Sequence, residues 1–334
     1  MLGRVAITGA VSYSGRYIAK RVLDGGGEVV NLSRRGVPIA MSPLTSAEAE
    51  KLEASRVRPV WEDVDGLAEA MKGCEVLFCT YWQRFVEKSG DDAHVEAARR
   101  CERLFEAAKR ASVRKIVFTS HTRASLESPF PYIAGKARAA EALRKCGVDY
   151  AIVRPCGVFG DTASESILMN NAAWVLRRAP LFLVAGDGSH PFQPVHVRDL
   201  ADLALDLGSS HTSGEELDAC GPDAPTALEL FLRLRDSIAK SRGFPGSIVL
   251  AGGPWLSTKV ITSLTQPINY LTGDVLLDTD DLDLLCAGLT QADDPKDPRI
   301  KERRSLFDWI DLNGADLGKT YVSSIKRYYN NAEK

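Results

Sequence analysis

The 334-residue chain lacks the marks of several protein classes. Its 42 lysines and arginines are balanced by 44 aspartates and glutamates, a formal net charge of −2. That balance argues against nucleic acid or an anionic membrane as the main partner. The basic run Arg299, Lys301, Arg303, Arg304 reads as a solvated helix face. No stretch stays apolar for the ~20 residues that a transmembrane segment needs. Ser247–Leu277 is the most apolar late region, but Lys259, Gln266, Pro267 and Asp274 interrupt it, so it reads as packed helix and loop. The seven cysteines include no Cys-x-x-Cys pair and no metal-ligand spacing, and the five histidines are scattered. No metal site and no disulfide framework are expected. The cysteines read as reduced core residues, which suits a cytoplasmic location. The first strand begins by Arg4, which leaves no signal peptide ahead of it. An organelle reached with a transit peptide since removed stays open. There is no internal repeat and no low-complexity linker.

What is present begins at the N-terminus. Arg4-Val5-Ala6-Ile7-Thr8-Gly9-Ala10-Val11-Ser12-Tyr13-Ser14-Gly15 runs from a short apolar strand through a small-residue turn into an amphipathic helix. This is the pattern of a dinucleotide-binding βα unit. Gly9 permits the tight turn, Gly15 lets the helix pack close, and the N–H groups of the helix start face a pyrophosphate. Ser12 stands where the middle glycine is usual; its hydroxyl can donate to phosphate, and its side chain narrows the backbone approach.

The second strand, Glu28–Ser33, runs into Arg34-Arg35. An acidic residue that would accept the ribose 2′-hydroxyl of NAD is missing. A guanidinium pairs in bidentate fashion with a 2′-phosphate and stacks on adenine. NADP(H) is therefore the expected cofactor, with NAD(H) as the alternative.

Strand and helix patterns alternate through the first half. Strands are expected at Val5–Thr8, Glu28–Ser33, Val57–Trp61, Glu75–Thr80, Lys115–Ser120 and Tyr150–Pro155. Helices are expected near Gly15–Leu23, Asp65–Met71, His94–Ala111 and Pro131–Lys145; Ser46–Ala54 reads equally as helix or loop. Such alternation predicts an α/β fold, a Rossmann-like doubly wound parallel sheet. Beyond Pro155 the rhythm breaks. Asp161–Arg178, Val197–Leu207 and Thr226–Ala239 read as helices, and Gln193–Val197 and Glu215–Cys220 as strands. The tail Arg303–Asn331 reads as one or two amphipathic helices with Trp309, Ile310, Leu317, Tyr321, Ile325 and Tyr328 inward. The expected division is an NAD(P)-binding domain of residues 1–155, with 193–221 returning to it, and a smaller C-terminal substrate lobe of 156–192 and 222–334. The ligand is expected in the cleft between them.

Tyr132-Ile133-Ala134-Gly135-Lys136 puts a phenol and an amine four apart on one helix face. In a reductase such a phenol gives a proton to a carbonyl, and the lysine lowers its pKa. The pair follows the fifth strand, whose end reads Phe118-Thr119-Ser120-His121-Thr122. Tyr81, Trp82 and Phe85 lie where a substrate pocket should open, with core packing as the competing reading; Trp174, Phe182 and Phe192 are similar candidates. His196 and Asp199 read as structural, with Asp199 capping the following helix.

Thr8-Gly9 with Gly15, Tyr132-x-x-x-Lys136, Arg154-Pro155 and Val195-His196-Val197-x-Asp199 together resemble a short-chain dehydrogenase/reductase of the extended or atypical kind. Within that group the chain is similar to NmrA-like proteins and to the 39-kDa NAD(P)H-binding subunit family of complex I. Thr80-Tyr81-Trp82-x-Arg84-Phe85 and Gly186-Asp187-Gly188 add to the likeness. The resemblance implies that Thr8, Gly9, Ser12, Tyr13, Ser14 and Gly15 form the phosphate loop. Arg34, and with it Arg35, would hold the 2′-phosphate, and Asp63 would sit near the adenine. Thr80 and Tyr81 would flank the cofactor, with Pro155 to Val158 at the nicotinamide. Lys136 would hold the nicotinamide ribose and Tyr132 would be the acid/base. The family's catalytic serine position aligns with His121, with Ser120 and Thr122 as neighbouring hydroxyls. The implied activity is NADPH-dependent reduction of a carbonyl or enone of a small, partly apolar substrate. Two alternatives are a non-catalytic NADP(H)-binding sensor or subunit of a larger protein complex, and an epimerase or dehydratase that retains NAD. A homo-oligomer stays open.

Overall fold

The computed structural model describes residues 2–38, 41–83, 93–242, 246–253, 257–272, 274, 279–295 and 297–323. The chain runs β1 (Arg4–Thr8), α1 (Tyr13–Asp24), β2 (Glu28–Leu32), α2 (Ser46–Ala54), β3 (Arg56–Val57), α3 (Val64–Ala70), β4 (Val76–Cys79) and α4 (Ala93–Arg110). Next come β5 (Lys115–Thr119), α5 (Pro131–Lys145), β6 (Asp149–Pro155), β7 (Val158–Phe159), α6 (Ile167–Leu176), β8 (Leu181–Val184) and β9 (Val195–His196). The remaining elements are α7 (Val197–Ser209), β10 (Glu215–Ala219), α8 (Ala227–Arg242), β11 (Ile248–Ala251), α9 (Thr258–Thr272), α10 (Thr279–Cys286), α11 (Pro298–Lys301) and α12 (Leu306–Asn313). They form two compact units, residues 1–155 with 200–218, and residues 156–199 with 219–334.

The first unit carries a seven-stranded sheet in the order β10-β6-β5-β4-β1-β2-β3. β1 pairs in parallel with both β2 and β4, β2 with β3, β4 with β5, and β5 with β6. Strands covered by helices on both faces must be apolar throughout, and Val76-Leu77-Phe78-Cys79 in β4 is fully buried. Against one face pack Leu104 and Phe105 of α4 and Leu143 of α5, with Phe105 edge-on to Phe118 at 5.8 Å. This is the Rossmann-like α/β fold expected from the alternation.

Local chemistry decides what periodicity left open. Ser46–Ala54 is a helix because Thr45 and Glu48 form a capping box: the Thr45 hydroxyl accepts from the Glu48 N–H, and the Glu48 carboxylate accepts from the Thr45 N–H at 2.8 Å. The third strand is shorter than Val57–Trp61 and starts one residue earlier, pairing only Arg56 and Val57 with β2. Trp61 leaves the ladder and buries its ring against Tyr81, centroids 4.4 Å apart.

In the second unit Phe159, Met169, Leu234, Trp309, Ile310 and Leu317 make the core. α6 begins at Ile167, not Asp161. Asp161 is held outside the helix: its carboxylate pairs with Arg198 at 2.7 Å and its carbonyl accepts from the Trp309 indole at 3.2 Å. The stretch after Ser247 opens with a strand instead of helix, β11 lying parallel to β8. A four-residue apolar run does not reveal by pattern which of the two it forms. The basic run is not simply a solvated face, since Arg303 donates to the Cys220 carbonyl at 2.6 Å and Arg304 pairs with Asp199. Tyr321 donates to Asp274 at 2.8 Å, while Ile325 and Tyr328 lie outside the described residues. All seven cysteines are free thiols. Among the described residues no helix is long and apolar enough to cross a membrane.

Candidate dinucleotide and active site

β1 and β4 lie side by side although two strands separate them in sequence, so the sheet changes direction there. In open α/β sheets ligands bind beyond the carboxyl ends of the strands at such a point. The two strand ends are clasped. The Thr8 hydroxyl accepts from the N–H groups of Thr80 at 2.8 Å and Tyr81 at 3.0 Å, and the Thr80 hydroxyl donates to the Thr8 carbonyl at 2.6 Å. Both hydroxyls thus fix the floor of the crevice.

Gly9 turns the chain out of β1 at φ +65°, and the Ser12 N–H donates back to its carbonyl at 2.7 Å. Ser12 caps α1, its hydroxyl oxygen accepting the Gly15 N–H at 3.2 Å; the hydroxyl proton remains to donate. A Cβ on Gly15 would lie 2.2 Å from the Gly9 carbonyl oxygen and 2.8 Å from the Ser12 hydroxyl. The first turn of α1 therefore sits directly on the strand exit, a cradle that only glycine at position 15 permits. First-turn N–H groups precede any intrahelical carbonyl and carry the positive end of the helix dipole, which suits a phosphate. Tyr13 opens the helix half-buried and Ser14 follows it; the Arg16 guanidinium lies 5.5 Å from the Tyr13 and Tyr17 ring centroids.

At the exit of β2, Arg35 donates to the Val11 carbonyl at 3.3 Å and so borders the cradle. Arg34 is half-buried and close enough to Tyr81 to act on it electrostatically. Asp63 is exposed, and its carboxylate caps α3 by accepting the Gly66 N–H at 2.8 Å. Tyr81 is packed against Trp61 and accepts from Arg100 at 3.1 Å; burial pushes its phenol up to about 12.

The second cluster centres on α5. Tyr132 is half-buried, its ring meeting Trp82 at 6.0 Å, His94 at 5.5 Å and His121 at 5.4 Å, each roughly edge to face. One turn on, Lys136 is 3% exposed. Its Nζ donates to the Thr119 carbonyl at 2.7 Å and lies 4.1 Å from the Trp82 ring centroid and 6.0 Å from that of Tyr132. Burial pulls this amine down to about 8. The structure thus brings Tyr132, Lys136 and His121 together.

Ser120 is not in that group. Its hydroxyl is buried without a partner and lines a separate cavity of about 140 Å³ with Ala137, Ala140 and Arg144. Thr122 is buried, its N–H donating to the carbonyl of Pro155, the last residue of β6, at 3.3 Å. Val158 belongs to the second unit, in β7 beside Val195. His196 is buried there, and burial holds it down at about 4. Asp199 lies inside the first turn of α7 and does not cap it; its carboxylate accepts the Arg304 N–H at 2.7 Å. Phe192 is a core residue, Phe182 packs on Phe231 at 4.7 Å, and Trp174 on Tyr321 at 5.4 Å. Arg84 and Phe85 lie outside the described residues.

Sequence reasoning passed over two members of the α5 cluster. One is His94. The other is Gly135, whose Cβ would meet the His94 carbonyl oxygen at 3.0 Å and Trp82 at 3.1 Å. A glycine inside a helix costs about 1 kcal/mol relative to alanine, and that is the signal that could have flagged a close approach.

Comparison with known proteins agrees with this geometry. Residues 9–173 match the model of the NAD(P)H-binding family. Subunit 9 of the NADH dehydrogenase 1 alpha subcomplex of Arabidopsis thaliana, a mitochondrial protein, is 25% identical over 84% of this chain and 73% of its own length. UDP-glucose 4-epimerase of Mycolicibacterium smegmatis is 27% identical over 72% of this chain and 83% of its own. Among solved structures, Citrobacter sp. triphenylmethane reductase complexed with NADP(H) superposes with a TM-score of 0.68 at 15% identity, covering 93% of this chain and 99% of that one. Residues 9–173 thus match the NAD(P)H-binding family, and the chain shares the Rossmann-like α/β fold of these solved structures.

Proposed function

We propose that the first unit binds NADPH and reduces a carbonyl or enone of a small, partly apolar substrate, with Tyr132 giving the proton. The cradle fits a dinucleotide on its own geometry, because glycine at position 15 lets the first turn of α1 sit on the exit of β1, where its N–H groups face a pyrophosphate. Gly9, Ser12, Tyr13, Ser14 and Gly15 would hold the phosphates, and Arg34 with Arg35 the 2′-phosphate. Bound NADPH supplies the hydride. Tyr132 presents its proton from α5, and the charge of Lys136 favours the phenolate left behind.

The observation that carries this reading is the buried amine. A lysine at 3% exposure with its pKa drawn down to about 8 destabilises the fold at neutral pH. Groups held so far from their ordinary pKa cluster at working sites. A second reading has an observation of its own: Nζ of Lys136 is bonded to the Thr119 carbonyl beneath Trp82, as suits an amine used for structure. In that reading the chain is a nucleotide-binding subunit of a larger assembly, as its relative from A. thaliana is by name.

NADPH and NADH titrations of wild type and Arg34→Ala, followed by turnover with Tyr132→Phe as control, test both. The reductase reading expects Arg34→Ala to weaken NADPH about 10- to 100-fold, the value of one charge-assisted contact, with NADH unchanged. It expects Tyr132→Phe to lose at least about 100-fold in turnover. Preferential NADH binding by the wild type overturns the NADPH assignment, and NAD retained through purification selects the epimerase chemistry. Tight NADPH binding without turnover selects the subunit.

A further inference from the structure

One cavity of the first unit belongs to neither cluster of the candidate site. It holds about 140 Å³ and is bounded by residues of α5, β6 and β10 and by the segment 120–126 that follows β5. Its floor is buried and mostly apolar: Ala137, Ala140 and Ile152 with Ser120. Its rim is open, with Leu126 and Arg144 exposed. The α5 residues that line it centre about 130° round the helix from Tyr132, at ~100° per residue. The charges at the rim are matched. Arg144 donates to both carboxylate oxygens of Glu216, at 2.7 and 2.9 Å, and Arg154 pairs with Asp218 at 2.7 Å. Glu141 pairs with Lys145 at 2.7 Å. With each charge set against an opposite one, the opening favours neither an anion nor a cation.

Size and wall chemistry say what fits. An apolar cavity of about 150 Å³ takes benzene, so the space holds one six-membered ring. Water fits it poorly, because each molecule needs two to four polar partners, and past Ser120 the floor is two alanine methyl groups and an isoleucine. Ser120 is the exception on that floor. Its N–H donates to the Val153 carbonyl at 2.8 Å, which fixes the residue at the end of β5. Its hydroxyl, with one hydrogen to give and two lone pairs, is buried without a partner. One χ1 angle with three staggered wells lets that hydroxyl turn to meet an occupant. Leaving it unbonded costs the fold, and a partner in the cavity recovers that cost.

We propose that this cavity is a second ligand site, for a small neutral molecule with a ring-sized apolar body and one hydroxyl or carbonyl group. The body packs on Ala137, Ala140 and Ile152, and the polar group bonds to Ser120. The site stands apart from the reductase reading, since neither the phosphate cradle nor Tyr132 and Lys136 line it. It is nevertheless close to that cluster: Ser120 directly precedes His121, whose ring meets that of Tyr132 at 5.4 Å. An occupant lies behind the Tyr132 cluster without entering it.

The test uses the full chain, with phenol as the probe and toluene as a molecule of the same size without the hydroxyl. Methyl NMR of Ile152 reads the site directly. Phenol is expected to shift that methyl and to saturate, with a Kd of about 1 mM or below. A methyl that does not move, or a shift that grows linearly to about 10 mM, overturns the site. Ser120→Ala is expected to weaken phenol about 10-fold relative to toluene, the value of one hydrogen bond. An equal effect on both probes overturns the role of the hydroxyl. Ala140→Leu fills the floor and is expected to abolish the shift for both. Should that variant fail to fold, Ser120→Ala still decides, because it removes a group rather than adding one. Its thermal unfolding is a further check that needs no ligand. Loss of a hydroxyl without a partner leaves the midpoint at or above that of wild type, and a lower midpoint shows the hydroxyl bonded within the protein and overturns its assignment.

Discussion

Replacing Gly15 by alanine sets two effects of opposite sign against each other. Alanine in a helix interior is worth about 1 kcal/mol over glycine, so at an indifferent site the change stabilises. At Gly15 the new Cβ falls 2.2 Å from the Gly9 carbonyl oxygen, when contacts under 3.0 Å are essentially unknown. Something must move by about 0.8 Å or more, the difference between those two distances. The obstacle is backbone, tied by the Ser12 N–H to the Gly9 carbonyl at 2.7 Å and by the Gly9 N–H to the Leu32 carbonyl at 2.9 Å. Relief therefore displaces the start of α1 from β1. Overpacking of this kind costs about 1–3 kcal/mol and more when backbone is the wall. With the propensity gain deducted, a net loss of about 2 kcal/mol is expected in urea unfolding, as a lower midpoint with unchanged slope. The displaced turn is also the phosphate cradle, so NADPH affinity is expected to fall at least 100-fold. Gly26→Ala is a control for crowding: its Cβ would meet nothing within 4 Å, although its φ of +77° carries backbone strain of its own. A Gly15→Ala protein as stable as wild type that binds NADPH within twofold refutes the close-approach reasoning.

Two further predictions concern buried bases. Lys136 has its pKa lowered from 10.5 to about 8, so the unfolded chain holds this proton where the folded chain has lost it. Wild-type stability should rise between about pH 8 and 10.5, and the stability advantage of Lys136→Met over wild type should shrink by up to about 3 kcal/mol across that window; parallel denaturation curves at both ends refute the burial argument. His196 is lowered from 6.5 to about 4, so its contribution is fully present above pH 6.5 and lost as pH falls toward 4. His196→Gln should flatten that part of the acid-unfolding profile by up to about 3 kcal/mol, and an unchanged profile counts against His196 being buried neutral.

Much of the framework was legible from residue order. The strand, turn and helix at Arg4–Gly15, the alternation that follows and the four-residue spacing of Tyr132 and Lys136 are local patterns, and local patterns are set by chain geometry. Where competing demands met, order was a poor guide. Trp61 has strand-like neighbours, yet it leaves the ladder and is buried with its ring against Tyr81. Asp199 has the residue type of a cap, yet its carboxylate accepts from Arg304, 105 residues later.

By itself the sequence determined that a parallel α/β sheet would form and that a glycine-lined turn and a Tyr–Lys pair would stand at strand exits. Periodicity and spacing express how a backbone turns and rises, and they survive without knowledge of contacts. Only the tertiary structure decided which groups face each other: Ser120 toward a separate cavity, His121 toward Tyr132, Trp82 over Lys136 and bonded to His94. A strand's successive side chains point to opposite faces, so one position separates a residue in the site from one outside it.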